Sequence, residues 1–216
     1  MSIETLKAAV DEHHLLKHPF YQDWMAGRLT REQLRDYAEQ YYFHVDRFPR
    51  YLSALHSQIE CPVERREILD NLNDEEGVTY GTSHPDLWLQ FAEGLGLERE
   101  QVRAAAARPA IRNVADTFFS LARRSAHEGL GAIYAYESQV PEIAHSKIEG
   151  LKSNYAIEDE RTLSFFEVHK QADIAHRESI AKLIEALPEE QREEAILAAR
   201  QAARSLWDFL SDVHAA

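Results

Sequence analysis

The sequence predicts an all-α domain, and three observations predict it. Glycine and proline are scarce, at 8 and 7 among 216 residues, so few residues that stop a helix are present. Apolar residues recur at helical spacing, and no stretch alternates convincingly as a strand. No internal repeat, low-complexity tract or linker divides the chain, so residues 1–216 read as one helical bundle.

The first helix is expected over residues 3–16. His18-Pro19-Phe20-Tyr21 then opens a short helical turn that stops near Gly27. Thr30-Arg31-Glu32-Gln33 reads as a capping box, the Thr side chain taking the third residue's N–H and Gln reaching back. The helix it starts puts Leu34, Ala38, Tyr41 and Val45 on one face, with Tyr37 and Tyr42 at its borders, until Pro49 interrupts it. Another helix follows over 50–59. Pro62 suits a first helical position, and the next helix carries Ile68, Leu69 and Leu72 to Glu75 and Glu76. Residues 77–83 form a loop, and His84-Pro85-Asp86 starts a helix that ends at Gly96. Helices are then expected over 98–106, over 109–124, from Gly129 to about 155 with Pro141 inside it, over 159–187, and from Pro188 to about 213.

With 24 Lys and Arg against 37 Asp and Glu, the formal charge is −13, which argues against a nucleic-acid or anionic-membrane surface. Cys61 is the single cysteine, which excludes an internal disulfide and suits a reducing compartment. The first residues carry no basic n-region, and no apolar run approaches a bilayer span. The expectation is a soluble cytoplasmic protein.

Chemistry concentrates in the helix over 159–187. An α-helix advances about 100° per residue, so His169 and His176 fall within about 60° of Asp173 and share a sector with Phe166, Ile180 and Ile184. Metal-binding side chains inside an apolar stripe must be paired or coordinating. A hydrogen-bonded His/Asp cluster is the ordinary reading of any pair; three such residues at i, i+4 and i+7 favour a metal. Glu137 is a second signal, a carboxylate in the middle of an apolar stripe. Pro141, four residues on, has no N–H to give the Glu137 carbonyl, so a kink is expected at the carboxylate. Glu142 and His145 have the Glu-x-x-His spacing of di-iron bundles but lie about 80–140° from Glu137 around the helix, and belong to a solvated face. Glu75 and Glu76 end an apolar-striped helix whose centre falls between them, so periodicity does not choose one. With His84, two carboxylates and two or three histidines make an all-N/O set that suits iron or manganese.

Several motifs together resemble a known family. They are Asp70 to Gly77, His84-Pro85-Asp86-Leu87-Trp88, Tyr134 to Pro141, Lys147-Ile148-Glu149-Gly150-Leu151 and His169 to His176. They are similar to the family of the Chlamydia protein associating with death domains, in the dimetal-oxidase branch of the haem-oxygenase-like, TenA/PqqC-type superfamily. The resemblance spans nearly the whole chain. It implies a haem-oxygenase-like bundle, a homodimer, and a dinuclear site of Fe or Mn ligated by Glu75, His84, Glu137, His169, Asp173 and His176. It also implies O₂ activation with an external reductant, and formation of para-aminobenzoate for folate synthesis. The ring would come from Tyr21 and the amino nitrogen from Lys147, both consumed, with Tyr37, Tyr41 and Tyr42 near the metals. On residue type alone, Tyr21 would be a packing residue and Lys147 a boundary lysine snorkelling to water. Two rivals stand beside this reading: a dimetal oxidase acting on an external amine, amino acid or fatty acid, and a non-enzymatic interaction module. TenA-like thiaminase chemistry needs a nucleophilic cysteine, for which Cys61 is poorly placed, and metal-free PqqC-like oxidation leaves the six ligands without a purpose.

Overall fold

Caps and prolines set the boundaries of the elements. The computed structural model describes residues 3–79 and 81–216, and within them every side chain except those of residues 171–174. In chain order the elements are α1 (Ile3–Asp11), a 3₁₀ turn (Leu15–Lys17), α2 (Pro19–Met25), α3 (Arg31–Val45), α4 (Phe48–His56) and α5 (Pro62–Glu75). There follow α6 (His84–Gly94), α7 (Arg99–Ala104), α8 (Pro109–Arg124), α9 (Ala126–Glu137), α10 (Val140–Tyr155), α11 (Glu160–Glu185) and α12 (Glu189–Ala215). No strand occurs among the described residues, and no described helix is long and apolar enough to cross a membrane.

The capping box at Thr30 forms as expected: its Oγ1 accepts the Gln33 N–H at 3.2 Å, and Gln33 Oε1 accepts the Thr30 N–H at 3.0 Å. Three of the differences from expectation have a local cause. The first helix ends at Asp11, because His14 is extended (φ −63°, ψ 119°) and its side chain caps the 3₁₀ turn. Pro49 does not interrupt a helix; α3 already ends at Val45, and Pro49 sits in the first turn of α4, where a missing N–H costs nothing. The helix expected from Gly129 to about 155 is two helices, α9 and α10, parted at Ser138 and Gln139. Pro141 is the cause, since it offers the Glu137 carbonyl no N–H.

The centre of the bundle is α9. Residues 129–137 are buried all round, the pattern of a helix enclosed by others, and α9 packs most extensively on α12, then on α8 and α11. At Gly131 an added Cβ would come within 2.0 Å of the Ala195 carbonyl. Glycine and the alanines of α12 therefore let the two backbones approach. The C-terminal end of this enclosed helix delivers Glu137. A second unit forms where α10 meets α2: the Trp24 Nε1–H donates to the Lys147 carbonyl at 3.3 Å, and Asn154 Nδ2 donates to the Met25 carbonyl at 2.9 Å.

Candidate metal centre and tyrosine–lysine cluster

Glu75 is held by the way α5 ends. The Val78 N–H bonds the Asn73 carbonyl at 2.8 Å and the Gly77 N–H bonds the Asp74 carbonyl at 3.0 Å, the paired bonds of a Schellman motif with Gly77 at C′. Gly77 has φ +74°, and a Cβ there would lie 2.5 Å from the backbone of Thr82 and Ser83. The chain thus folds back tightly and brings His84, the first residue of α6, over the last turn of α5. Glu75 is buried at 3 % exposure, whereas Glu76 is exposed and faces a surface groove.

Glu75, His84 and His169 bring one ligand atom each to within 4.8 Å of one another. His84 Nδ1 lies 3.0 Å from Glu75 Oε1, and His169 Nε2 lies 3.9 Å from the same oxygen. His169 Nδ1 meets the Phe165 carbonyl at 2.7 Å. That contact requires the proton on Nδ1 and leaves the Nε2 lone pair directed at Glu75. Next to this trio, His176 Nε2 meets Asp74 Oδ2 at 3.1 Å, while its Nδ1 lies 3.9 Å from Glu137 Oε2. The other Glu137 oxygen accepts the Asn71 amide at 2.9 Å. The side chain of Asp173 lies outside the described residues.

Burial dominates the electrostatics of these residues. Burial pushes the Glu137 carboxyl up to about 8, against the Asn71 hydrogen bond and with Glu75 and Asp74 adding to the rise. Burial lowers His84, but the Glu75 carboxylate outweighs it and the net shift is upward. Burial, with His84 adding to it, holds His169 well below the ordinary histidine range. A hydrogen-bonded polar cluster would satisfy its atoms; this one leaves Glu137 Oε2 and both His84 nitrogens buried without a hydrogen bond. His84 Nδ1 and Glu75 Oε1 are close yet not aligned as donor and acceptor. Donor atoms converging on one point, all nitrogen or oxygen, fit an iron or manganese ion.

A phenolic cluster lies beside this centre. Lys147 Nζ donates to the Tyr37 hydroxyl at 2.6 Å, and the Tyr37 and Tyr21 hydroxyls are 3.4 Å apart. The Lys147 amine is buried, 5.5 Å from the Tyr21 ring centroid and 4.7 Å from that of Tyr37. Burial drives its pKa well below the ordinary lysine value and raises those of Tyr21, Tyr37 and Tyr41. Tyr37 and Tyr41, one helical turn apart on α3, stack at 5.2 Å. Tyr21, Tyr41, Tyr136 and Lys147 line a cavity of about 20 Å³, closed on one side by Phe165 and Phe166. Phe165 also packs on the His169 ring at 4.1 Å, so one aromatic side chain separates the cavity from the ligand trio.

Most residues singled out in the sequence therefore meet in one region: Glu75, His84, Glu137, His169 and His176 in the ligand cluster, and Tyr21, Tyr37, Tyr41 and Lys147 in the phenolic one. The elements delivering these candidate ligands are the helices α5, α6, α9 and α11; His84 belongs to a helix and not to the loop before it. Tyr42 does not join them. One residue beyond Tyr41 turns the side chain about 100° around α3, and Tyr42 lines a surface groove with Glu76 and Arg103, its hydroxyl 3.5 Å from Asp46. Glu142 and His145 are exposed, as expected of a solvated face. Lys147 is buried and not at a boundary, because an angle counted from Glu137 does not carry across the break at Ser138 and Gln139. Asn71 and Asp74, which orient Glu137 and His176, were not singled out. Asn71 carried a usable signal: it lies four residues before Glu75, on the buried face of α5 with Ile68.

Comparison with known proteins adds a family. A family model described as "Iron-containing redox enzyme" matches residues 35–208. A curated protein of Nitrosomonas europaea named 4-aminobenzoate synthase is 41 % identical, covering 99 % of this chain and 93 % of that protein. A second of the same name, from Chlamydia pneumoniae, is 38 % identical over 97 % of this chain and 93 % of its own length. Among solved structures, a domain of unknown function with a heme oxygenase-like fold from Shewanella denitrificans superposes with a TM-score of 0.82. It is 16 % identical, covering 98 % of this chain and 90 % of that one, and shares the fold.

Proposed function

The chain belongs to the family of iron-containing redox enzymes that includes the 4-aminobenzoate synthases, and we propose that it makes 4-aminobenzoate from its own Tyr21 and Lys147. Glu75, His84 and His169 would hold one metal ion, and Glu137, His176 and Asp173 would complete a second position. When bound, iron with iron or manganese supplies the oxidising power drawn from O₂ and an external reductant. A homodimer in a reducing, cytoplasmic setting belongs to the same reading, for which the lone Cys61 is suited.

The protein's own residues contribute position, protonation state and exclusion of water. Burial shifts Lys147 towards the neutral amine, the form whose nitrogen lone pair is available for transfer. Tyr37 accepts from that amine and contacts the Tyr21 hydroxyl, so a proton can pass among Lys147, Tyr37 and Tyr21 without leaving the protein. Phe165 and the Phe165 carbonyl hold His169 in one tautomer. The Asn71 amide orients the Glu137 carboxyl, and Asp74 orients the His176 ring.

One observation carries the self-consuming version over an oxidase for external substrates. The cavity between the ligands and Lys147 has about 20 Å³, enough for about one water and not for an added amine, amino acid or fatty acid. Its wall already contains a phenol and an amine. The test is expression with ring-labelled tyrosine, purification away from free amino acids, then addition of iron, manganese, a reductant and O₂. Labelled 4-aminobenzoate should appear at no more than about one equivalent per chain, with a mass loss mapping to Tyr21. Product at wild-type yield from Tyr21→Phe, or a requirement for an added substrate with no change in protein mass, would overturn the reading in favour of the external-substrate oxidase.

A further inference from the structure

Gln139 is buried at 1 % exposure in the break between α9 and α10, and it takes no part in the chemistry just described. Its amide bridges three segments. Nε2 donates to the Ala135 carbonyl of α9 at 2.8 Å, and Oε1 accepts the Leu15 N–H of the 3₁₀ turn at 2.8 Å. Its own backbone opens α10, with the Ile143 N–H bonding the Gln139 carbonyl at 3.1 Å.

Each of the three segments leads to a functional side chain. Ala135 is two residues before Glu137. The 3₁₀ turn, whose Leu15 lines the cavity, runs directly into α2 and Tyr21. The second turn of α10 ends at Lys147. The Trp24 and Asn154 bonds already tie α2 to α10, so Tyr21 and Lys147 move together. Glu137 is anchored separately, through Asn71 on α5. Pro141 removes the backbone bond that would otherwise join α9 to α10. The Gln139 amide stands in that gap.

We propose that Gln139 is a positioning residue for the self-consuming reaction, setting the Tyr21–Lys147 unit against the metal-binding end of α9; this rests on the function proposed above. Both of its bonds are buried, so losing either leaves an unsatisfied peptide group that the chain relieves by shifting. The shift falls on the α2–α10 unit, because α9 is packed on all sides and Glu137 keeps its own tether.

Gln139→Met keeps the length and volume of the side chain and deletes both bonds. It should retain wild-type metal content and helical circular dichroism, while 4-aminobenzoate per metal-loaded chain falls at least tenfold. In the metal-free protein, Lys147 should be acylated by an amine-specific reagent several-fold faster than in wild type. Gln139→Leu also deletes both bonds, with a different apolar shape, and provides a second variant should the methionine variant fail to fold. Wild-type yield per metal-loaded chain with unchanged Lys147 labelling, in whichever variant folds, overturns the proposal. A loss that only tracks lower metal content also overturns it, since that is what a general structural role produces. If wild-type protein makes no 4-aminobenzoate, the functional reading fails, and Lys147 labelling still decides the role of Gln139.

Discussion

Lys147 is an amine enclosed by aromatic rings, and its burial is a statement about stability as well as chemistry. Its folded pKa lies well below the ordinary value, so the unfolded chain binds a proton that the folded chain does not. Wild-type stability must then rise with pH between the lowered folded pKa and the unfolded value near 10.4, by about 1.4 kcal/mol per pH unit. Lys147→Met should therefore melt above wild type at pH 7, with the gap closing as pH approaches about 10.4, and it should yield no product. Thermal melts of both proteins across that range check the sign. Glu75 and Glu76 give a second prediction at this scale. The helical face of α5 does not choose between them in the sequence, because the stripe centre falls between the two; in the structure Glu75 is buried and Glu76 is exposed. Glu75→Ala should lose at least one metal ion per chain, and Glu76→Ala none, by elemental analysis of reconstituted protein. The opposite pattern would make Glu76 the ligand. Asn71 and Asp74 escaped notice for a related reason: a side chain that orients a ligand has no chemical signature of its own until its partner's position is known.

At the scale of elements, the sequence was most legible where a local rule was complete. Thr30 and Gln33 fix the start of α3 without help from the rest of the chain, and Pro109 and Arg124 bound α8 as expected. It was least legible across breaks. Pro141 announced a kink at Glu137, but not that a single helical wheel would stop applying there, so Lys147 read as a boundary residue and is buried. The turn after α5 is the element on which the ligand trio most depends, because one glycine folds His84 back over Glu75. Gly77→Ala would face both a left-handed backbone, at about 1 kcal/mol or more, and a Cβ too close to Thr82 and Ser83. We expect a lowered melting temperature together with a loss of metal, whereas Gly81→Ala, with the same left-handed strain but open space around it, should cost stability and leave metal content near wild type. Metal loss in both variants, or in neither, would remove the turn from its role in building the centre.

For the whole molecule, core and centre are separable. The packing of α8, α9 and α12 around Phe118, Ile133, Leu206 and Phe209 is complete without any ligand residue, so a chelated chain should keep its helical circular dichroism. It should nevertheless melt lower, because Glu137 Oε2 and the His84 ring nitrogens are then buried without a hydrogen bond. Ferrous ion at about a hundred times its Kd should restore about 2.7 kcal/mol, or roughly 5–10 °C for a chain of this length; a chelated protein with a coil-like spectrum would tie fold to metal instead. This separation is also why the fold could be read from periodicity while the centre needed specific motifs: periodicity reports the packed majority, and the ligands are a few exceptions within it. The 20 Å³ cavity has one more consequence. A space that admits about one water is too small for a finished aromatic ring carrying a carboxylate and an amine. On the self-consuming reading, a molecule made there would be a prisoner of the chain that made it until the surrounding helices part. Its escape would then run on the clock of local unfolding and not on that of bond making, so a reacted chain would shed its product faster the more loosely it is folded.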